Sequence, residues 1–310
     1  GPLGFGGVMG VLFVVIETRA SEPIMPLWIF RYRTVSVSLV VTFLTGFGMF
    51  GVIIFVPLFF QGVLGASATN SGSFLTPMML GIVAGATVSG QALSRLGGRY
   101  RRQGLLGLTI MGAGIFLLSR MSANTSYGHA VGNIVLMGIG LGVTFPVYTI
   151  VVQNAVPHRV LGVATSSIQF FRSIGGTIGL AVLGSVMTRQ FAAELTGAVP
   201  AGVEAIIPPE KLAGLADNPQ ALLSPDARTQ LQAGFEAAGP QAAGLFDQLL
   251  GVLRQALASA IGDIFLIGFV VIVAAWIATL FLKGAPPRRD SRTEGETGPD
   301  LTQSEGSGNG

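Results

Sequence analysis

Six apolar stretches, set apart by short polar or proline-bearing links, leave this chain few folds to choose from. They cover about 35–60, 71–94, 104–118, 131–152, 162–187 and 257–282. Most approach the roughly 20 residues that cross the hydrocarbon core of a bilayer as a helix. In lipid every backbone N–H and C=O must be satisfied within the protein, so such runs form helices rather than open strands. Charged residues make up 11% of the chain, against about 25% in soluble domains. The fold class that follows is all-α, a polytopic transmembrane helix bundle. The 45 glycines fit it, because small residues let membrane helices approach closely.

Several function classes drop out. There is no cysteine, so no disulfide framework or thiolate metal site forms. His129 and His158 are far apart in sequence, which argues against a histidine metal centre. The net charge of +3 does not point to nucleic acid, since the bases sit between apolar spans rather than on one face. No helix gathers acids, histidines or a serine/base pair for hydrolysis, so an enzyme is not expected. No cofactor is expected either.

A further apolar segment, 4–16, is shorter than the roughly 17 residues that span a bilayer. It reads as the end of a helix that begins upstream. The chain then divides into a truncated helix (1–16), a link (17–34) broken by Pro23 and Pro26, and five transmembrane helices (35–187). An outer segment (188–256), a last transmembrane helix (257–282) and a disordered Ser/Gly/Glu-rich tail (283–310) follow. That makes about seven spans. Leu249, Leu250, Leu253, Leu257 and Ile261 recur at helical spacing, which predicts an amphipathic lead-in to the last span.

Basic residues in the short links set the orientation. One side collects Arg19, Arg31 and Arg33, the four arginines of 95–102, Arg159, and the bases that follow Leu282. The short links on the other side hold Arg120 alone. The arginine-rich side is expected in the cytosol, with the C-terminus, in a cell membrane (plasma or inner).

Arg172 interrupts an apolar helix. A charge deep in a bilayer costs at least about 2.5–3.5 kcal/mol, so it normally faces a polar interior and serves a purpose. Helical spacing places Thr165, Gln169, Arg172, Gly176 and Gly179 on one face, with Phe170, Phe171, Ile174 and Ile178 turned away. Arg172 is therefore a candidate for a cavity that takes substrate, with Gln169, Thr165 and Tyr148; the alternative is an arginine that ties helix ends together. Phe145, Phe47, Phe50 and Met49 are further candidates for cavity lining. Near the membrane, Glu17 at a cytosolic helix end and Asp263 near the outer start of the last span are the candidates for protonation, with Asp263 a weak candidate proton site. Small residues at Gly81, Gly85 and Ser89 form a ridge for a partner helix, and Gly138, Gly140 and Gly142 allow close packing near Pro146.

Two motifs now carry a resemblance. Gly90-x-x-x-Ser94-Arg95-x-Gly97-x-Arg99 resembles the interhelical loop motif of the major facilitator superfamily, with Ser94 where that motif has an aspartate. Gln153-Asn154-Ala155-Val156-Pro157, Gly162-x-Ala164-Thr165 and Phe171-Arg172-x-x-Gly175-Gly176-x-x-Gly179 resemble the fourteen-helix drug:proton antiporter branch, the EmrB/QacA type. Glu17-x-Arg19-Ala20 and Pro57-Leu58-x-x-Gln61 fit the same branch. The resemblance implies the C-terminal half of a multidrug efflux antiporter. Its partners would be protons, a small amphipathic substrate, the lipid bilayer and a missing N-terminal half of the same transporter. It also implies that Arg95, Gly97 and Arg99 form a conformational loop and that the proton gradient supplies the energy. Export of an endogenous metabolite or antibiotic, or a non-transporting scaffold or half-transporter, are the competing readings.

Overall fold

A computed structural model describes residues 27–66, 75–95, 99–200 and 240–282, with isolated positions between them. Most of the expected truncated helix and of the link before residue 27 lies outside the described residues. So do Gly97, most of 201–239 and the tail from 283. All regular structure among the described residues is helical. A 3-10 turn, Leu27–Arg31, leads into α1 (Arg33–Gly62). Then come α2 (Leu75–Arg95), α3 (Tyr100–Ser119), α4 (Tyr127–Ala155), α5 (Leu161–Ala198) and α6 (Pro240–Leu280).

By length and composition, α1, α3, α4, α5 and α6 are able to cross a membrane. The 21 residues of α2 would reach about 32 Å at 1.5 Å per residue, but Gly, Ser, Thr and Gln dilute its apolar content. Its small residues have a use. Gly81, Gly85 and Ser89 are buried along one side, with Gly81 and Gly85 against the backbone of Val135 and Ile139 in α4. Ser89 Oγ donates to the Val143 carbonyl at 3.1 Å.

In α4 the alternation of glycine sorts two neighbours. Gly138 and Gly142, four apart, lie against Met78 and Ile82 of α2, while Gly140 lies against Met111 of α3. A methyl group at any of the three would run into backbone. The helices therefore pack in an arc, with α4 between α2 and α3, α6 joining α3 to α1, and α5 on α1 and α6. α2 meets the rest of the arc mainly through α4.

The helices α5 and α6 are longer than a bilayer requires. At 38 and 41 residues they extend about 57 and 62 Å, twice the roughly 30 Å of hydrocarbon. Sequence reasoning ended the first at Met187 and began the second at Leu257. The physical reason for the continuation is a stripe. Leu183, Met187, Phe191 and Leu195 are buried at four-residue spacing, and they share one apolar core with Leu249, Leu253 and Leu257 of α6.

Up-and-down connection brings the start of α1, α3 and α5 and the end of α2, α4 and α6 to one end of the bundle. Arg31, Arg33, Arg95, Arg99, Arg101, Arg102 and Arg159 all fall there. The guanidinium of Arg33 sits 6.0 Å from the ring of Phe281, joining the start of α1 to the end of α6. The acids Glu194, Asp247 and Asp263 fall at the opposite end or on the extensions beyond it.

Candidate transport face

Two parallel helices seat Arg172. α1 and α5 both start at the arginine-rich end, and they approach so closely that a Cβ on Gly46 would meet the Arg172 carbonyl. Gly175 faces the Phe43 backbone in the same way, and Gly176 and Gly179 receive Phe50 and Phe47. Glycine is needed at Gly46 and Gly175 because the opposing atoms are backbone, which cannot rotate aside. The backbone of Arg172 is thus pressed onto α1, and its side chain reaches α4. Its guanidinium carbon lies 4.0 Å from the centroid of the Phe145 ring, well inside the ~6 Å range of a cation–π contact. Nη1 donates to Gln169 Oε1 at 3.1 Å, and Nε is enclosed with no hydrogen-bond partner.

The expected face continues one and two turns towards the start of α5. Gln169 is exposed and Thr165 half-buried. Gln153 Nε2 of α4 donates to Thr165 Oγ1 at 3.0 Å, and Thr165 Oγ1 donates to the Leu161 carbonyl at 2.8 Å. A polar seam therefore runs between α4 and α5 from Gln153 and Thr165 to Gln169, Arg172 and Phe145. Phe170 and Ile178 are exposed on another side of α5, while Phe171 packs on Phe30, their rings 5.9 Å apart.

Tyr148 sits elsewhere. Its side chain is 1% exposed, and its hydroxyl pairs with Thr279 Oγ1 of α6 at 2.7 Å. Thr279 already donates to the Ala275 carbonyl, so the tyrosine hydroxyl is the donor. Gly104 of α3 leaves room for that hydroxyl, 2.9 Å from where a Cβ would lie. Tyr148 ties α3, α4 and α6 together. Phe47 and Phe50 pack into α5 glycines, as described above.

Of the loop residues, Arg95 ends α2 and Arg99 precedes α3, both exposed. Gly97, between them in sequence, lies outside the described residues. Sequence reasoning passed over the contact that anchors this loop: Asn154 Nδ2 donates to the Tyr100 hydroxyl at 2.9 Å. Asn154 stands in a quoted motif and Tyr100 directly follows another, yet nothing in their spacing pairs them. Asp263 accepts a hydrogen bond from Gln190 Nε2 at 3.1 Å, and one turn away Ser259 Oγ donates to Glu194 Oε1 at 3.1 Å. These two contacts join α5 to α6 at the end opposite Arg172. No group of three or more His, Cys, Asp or Glu among the described residues is placed to hold a metal.

Apolar helices of membrane length, joined by glycine contacts and carrying a polar seam around one arginine, define a polytopic membrane protein. Residues 3–180 match the Major Facilitator Superfamily, and the chain belongs to that family, whose members are transporters and not enzymes. It is 35% identical over 285 residues to the multidrug transporter protein MdtP of Bacillus subtilis, covering 88% of this chain and 50% of that protein. It is 34% identical over 186 residues to a tetracycline resistance determinant of Streptomyces rimosus, covering 60% of this chain and 53% of the relative. The chain spans about half the length of these curated relatives. In fold it is similar to a crystal structure of a bacterial homologue of the human lysosomal transporter Spinster in an inward-facing, unoccupied conformation. The TM-score is 0.50 at 18% identity, covering 84% of this chain and 52% of that one.

Proposed function

We propose that this chain supplies the C-terminal one of two helical halves of a proton-driven exporter of lipophilic, amphipathic compounds, of the EmrB/QacA type. The observation that carries the reading is the seam between α4 and α5. It holds the one charged side chain in the middle of a membrane helix among the described residues, and Gln169 beside it is exposed. A second half placed over this face would enclose a site near the bilayer midplane, and rocking of the halves would open it to either side. Relatives named for multidrug transport and tetracycline resistance, matched over about half their length, support the assignment.

In this reading Arg172, Gln169 and Thr165 contact substrate, while Tyr148 acts as a strut behind the site. Arg95, Gly97 and Arg99 form the loop that steadies one transport state, anchored by Tyr100 on Asn154. The proton-binding carboxylate sits in the complementary half, and Asp263 is a weak second candidate. The arginine-rich end faces the cytosol. The ends of α5 and α6 that carry Glu194 and Asp247 lie outside the cell.

The test is dye efflux with simultaneous proton flux in everted vesicles carrying the complete transporter. Imposing a proton gradient is expected to drive accumulation of lipophilic dyes, and collapsing it with an uncoupler to abolish it. Accumulation that survives the uncoupler would remove the proton-driven reading. Export of an antibiotic or endogenous metabolite on the same fold is the second reading, supported by the tetracycline resistance relative. A narrow substrate range in the same assay would favour it.

A further inference from the structure

We infer that Arg172, with Phe145 and Gln169, forms a half-site for planar aromatic anions, a substrate class that rests on the exporter reading above. Three observations carry it. First, the guanidinium is only partly used. Of its five donors, one reaches Gln169, and the enclosed Nε reaches nothing. Burying a donor without a partner is unfavourable, and such groups in native structures call for an explanation. The Nη donors that Gln169 does not take are not enclosed, and an acceptor supplied by a ligand would meet the guanidinium there.

Second, no acid among the described residues is positioned to take that place. Among the described residues the acids are Glu194, Asp247 and Asp263. Glu194 stands 22 residues beyond Arg172 on the same helix, about 33 Å along its axis. Asp263 is held by Gln190, about 27 Å along that axis. Asp247 lies four turns further out along α6 than Asp263. The described charges in the inner half of this bundle are therefore all positive, which disfavours a cation beside the seam and favours a carboxylate, sulfonate or enolate.

Third, the arginine is preorganised for a flat ligand. Stacking on Phe145 fixes the plane of the guanidinium, and the contact of Gly46 with its carbonyl fixes the backbone. A fork held in one plane binds an anion through paired charge-assisted hydrogen bonds along its edge. It also leaves a flat surface for an aromatic system. The half-site thus selects for charge at one edge of a ring system and apolar area over the rest.

Two dyes of one ring system test this: 1-anilinonaphthalene-8-sulfonate and uncharged N-phenyl-1-naphthylamine. Uptake of each into everted vesicles carrying the complete transporter is measured for wild type, Arg172→Gln and Arg172→Lys. Arg172→Gln is expected to lower sulfonate-dye kcat/KM about tenfold or more, the scale of a lost hydrogen bond to a charged group, and to lower neutral-dye uptake by a much smaller factor. Arg172→Lys keeps the charge without the planar fork, and recovers part of the sulfonate-dye uptake. Equal loss of both dyes in both variants assigns the arginine a structural role and overturns the inference. An unchanged sulfonate dye overturns it too, with export still standing. A wild type that takes up neither dye nor any lipophilic compound under a proton gradient removes the export reading, and this inference with it.

Discussion

Helix α5 carries polar side chains in two places, and they are treated in opposite ways. At its outer end Gln190 and Glu194 meet Asp263 and Ser259 across an antiparallel contact with α6, each with a named partner, the α5 residues exposed and the α6 residues half-buried. At the inner end Arg172 is pressed between α1 and α4 with an enclosed, unpartnered Nε. The outer pairs are what a helix extension needs when it leaves the bilayer: polar atoms satisfied side to side, over a stripe of leucine and phenylalanine. The inner arginine has no such account. The contrast fits the inference that the inner arginine serves a ligand the chain does not itself contain.

The comparison breaks most readily at the α1–α5 contact. Gly46→Leu or Gly175→Leu places a branched side chain against backbone on the opposing helix. Overpacking usually costs about 1–3 kcal/mol, and here no rotamer of a neighbour relieves it. The expected outcome is loss of monodisperse protein in detergent and of all transport, whichever substrate is offered. Normal yield and activity in either variant would show that the two helices separate freely, and Arg172 would no longer be held in place.

Arg172→Ala is the next largest effect, and it divides function from stability. If the donor is kept for a ligand, transport of the preferred substrates falls about tenfold or more. The thermal midpoint of the purified transporter drops by the equivalent of only about 1 kcal/mol, since the side chain's lost contacts are one ring and one glutamine. A large drop in midpoint with transport per folded molecule unchanged would make Arg172 a brace between α1, α4 and α5, no different in kind from the outer pairs.

How much of this was legible in the sequence follows from the same contrast. The all-α bundle could be read because apolar runs of membrane length have one solution in lipid. The glycine ridge of α2 could be read because its period is local. The face bearing Thr165, Gln169 and Arg172 also came from periodicity within one helix. Contacts between helices could not be read so. Tyr100 and Asn154 are 54 positions apart, and Tyr148 and Thr279 are 131 apart. Nothing in either local pattern pairs them. The continuation of α5 to Ala198 was missed because a drop in hydropathy was taken as the end of a helix. The stripe of Leu183, Met187, Phe191 and Leu195 crosses that drop unchanged.

The Tyr148 pair tests the strut assignment at a smaller scale. Tyr148→Phe removes the hydroxyl but leaves Thr279 bonded to Ala275, so the expected loss is about 1 kcal/mol. Gly104→Ala should be destabilising in the wild type, because its methyl approaches the tyrosine hydroxyl. Combined with Tyr148→Phe the methyl gains room, and the double variant should be more stable than the sum of the single effects predicts. Additive losses would mean that the hydroxyl and Gly104 do not share the space that the packing gives them.

The smallest effect is expected at Asp263, and its smallness matters. Asp263→Asn keeps an oxygen for Gln190 Nε2 and removes only the charge of a half-buried carboxylate on an exposed glutamine. Exposed charged pairs contribute about 0–1 kcal/mol, and a neutral donor on a carboxylate should fall at the low end of that range. Thermal midpoint and the pH dependence of dye efflux should therefore match the wild type within error. The informative result is the opposite one. If Asp263→Asn abolished proton-driven efflux yet spared downhill exchange of substrate, the charge at the outer end would be the coupling group. The paired end of α5 would then be the working end, and the contrast with Arg172 would have to be reversed: the satisfied contact would be the one that breaks during transport, with Gln190 holding the carboxylate between protonation events.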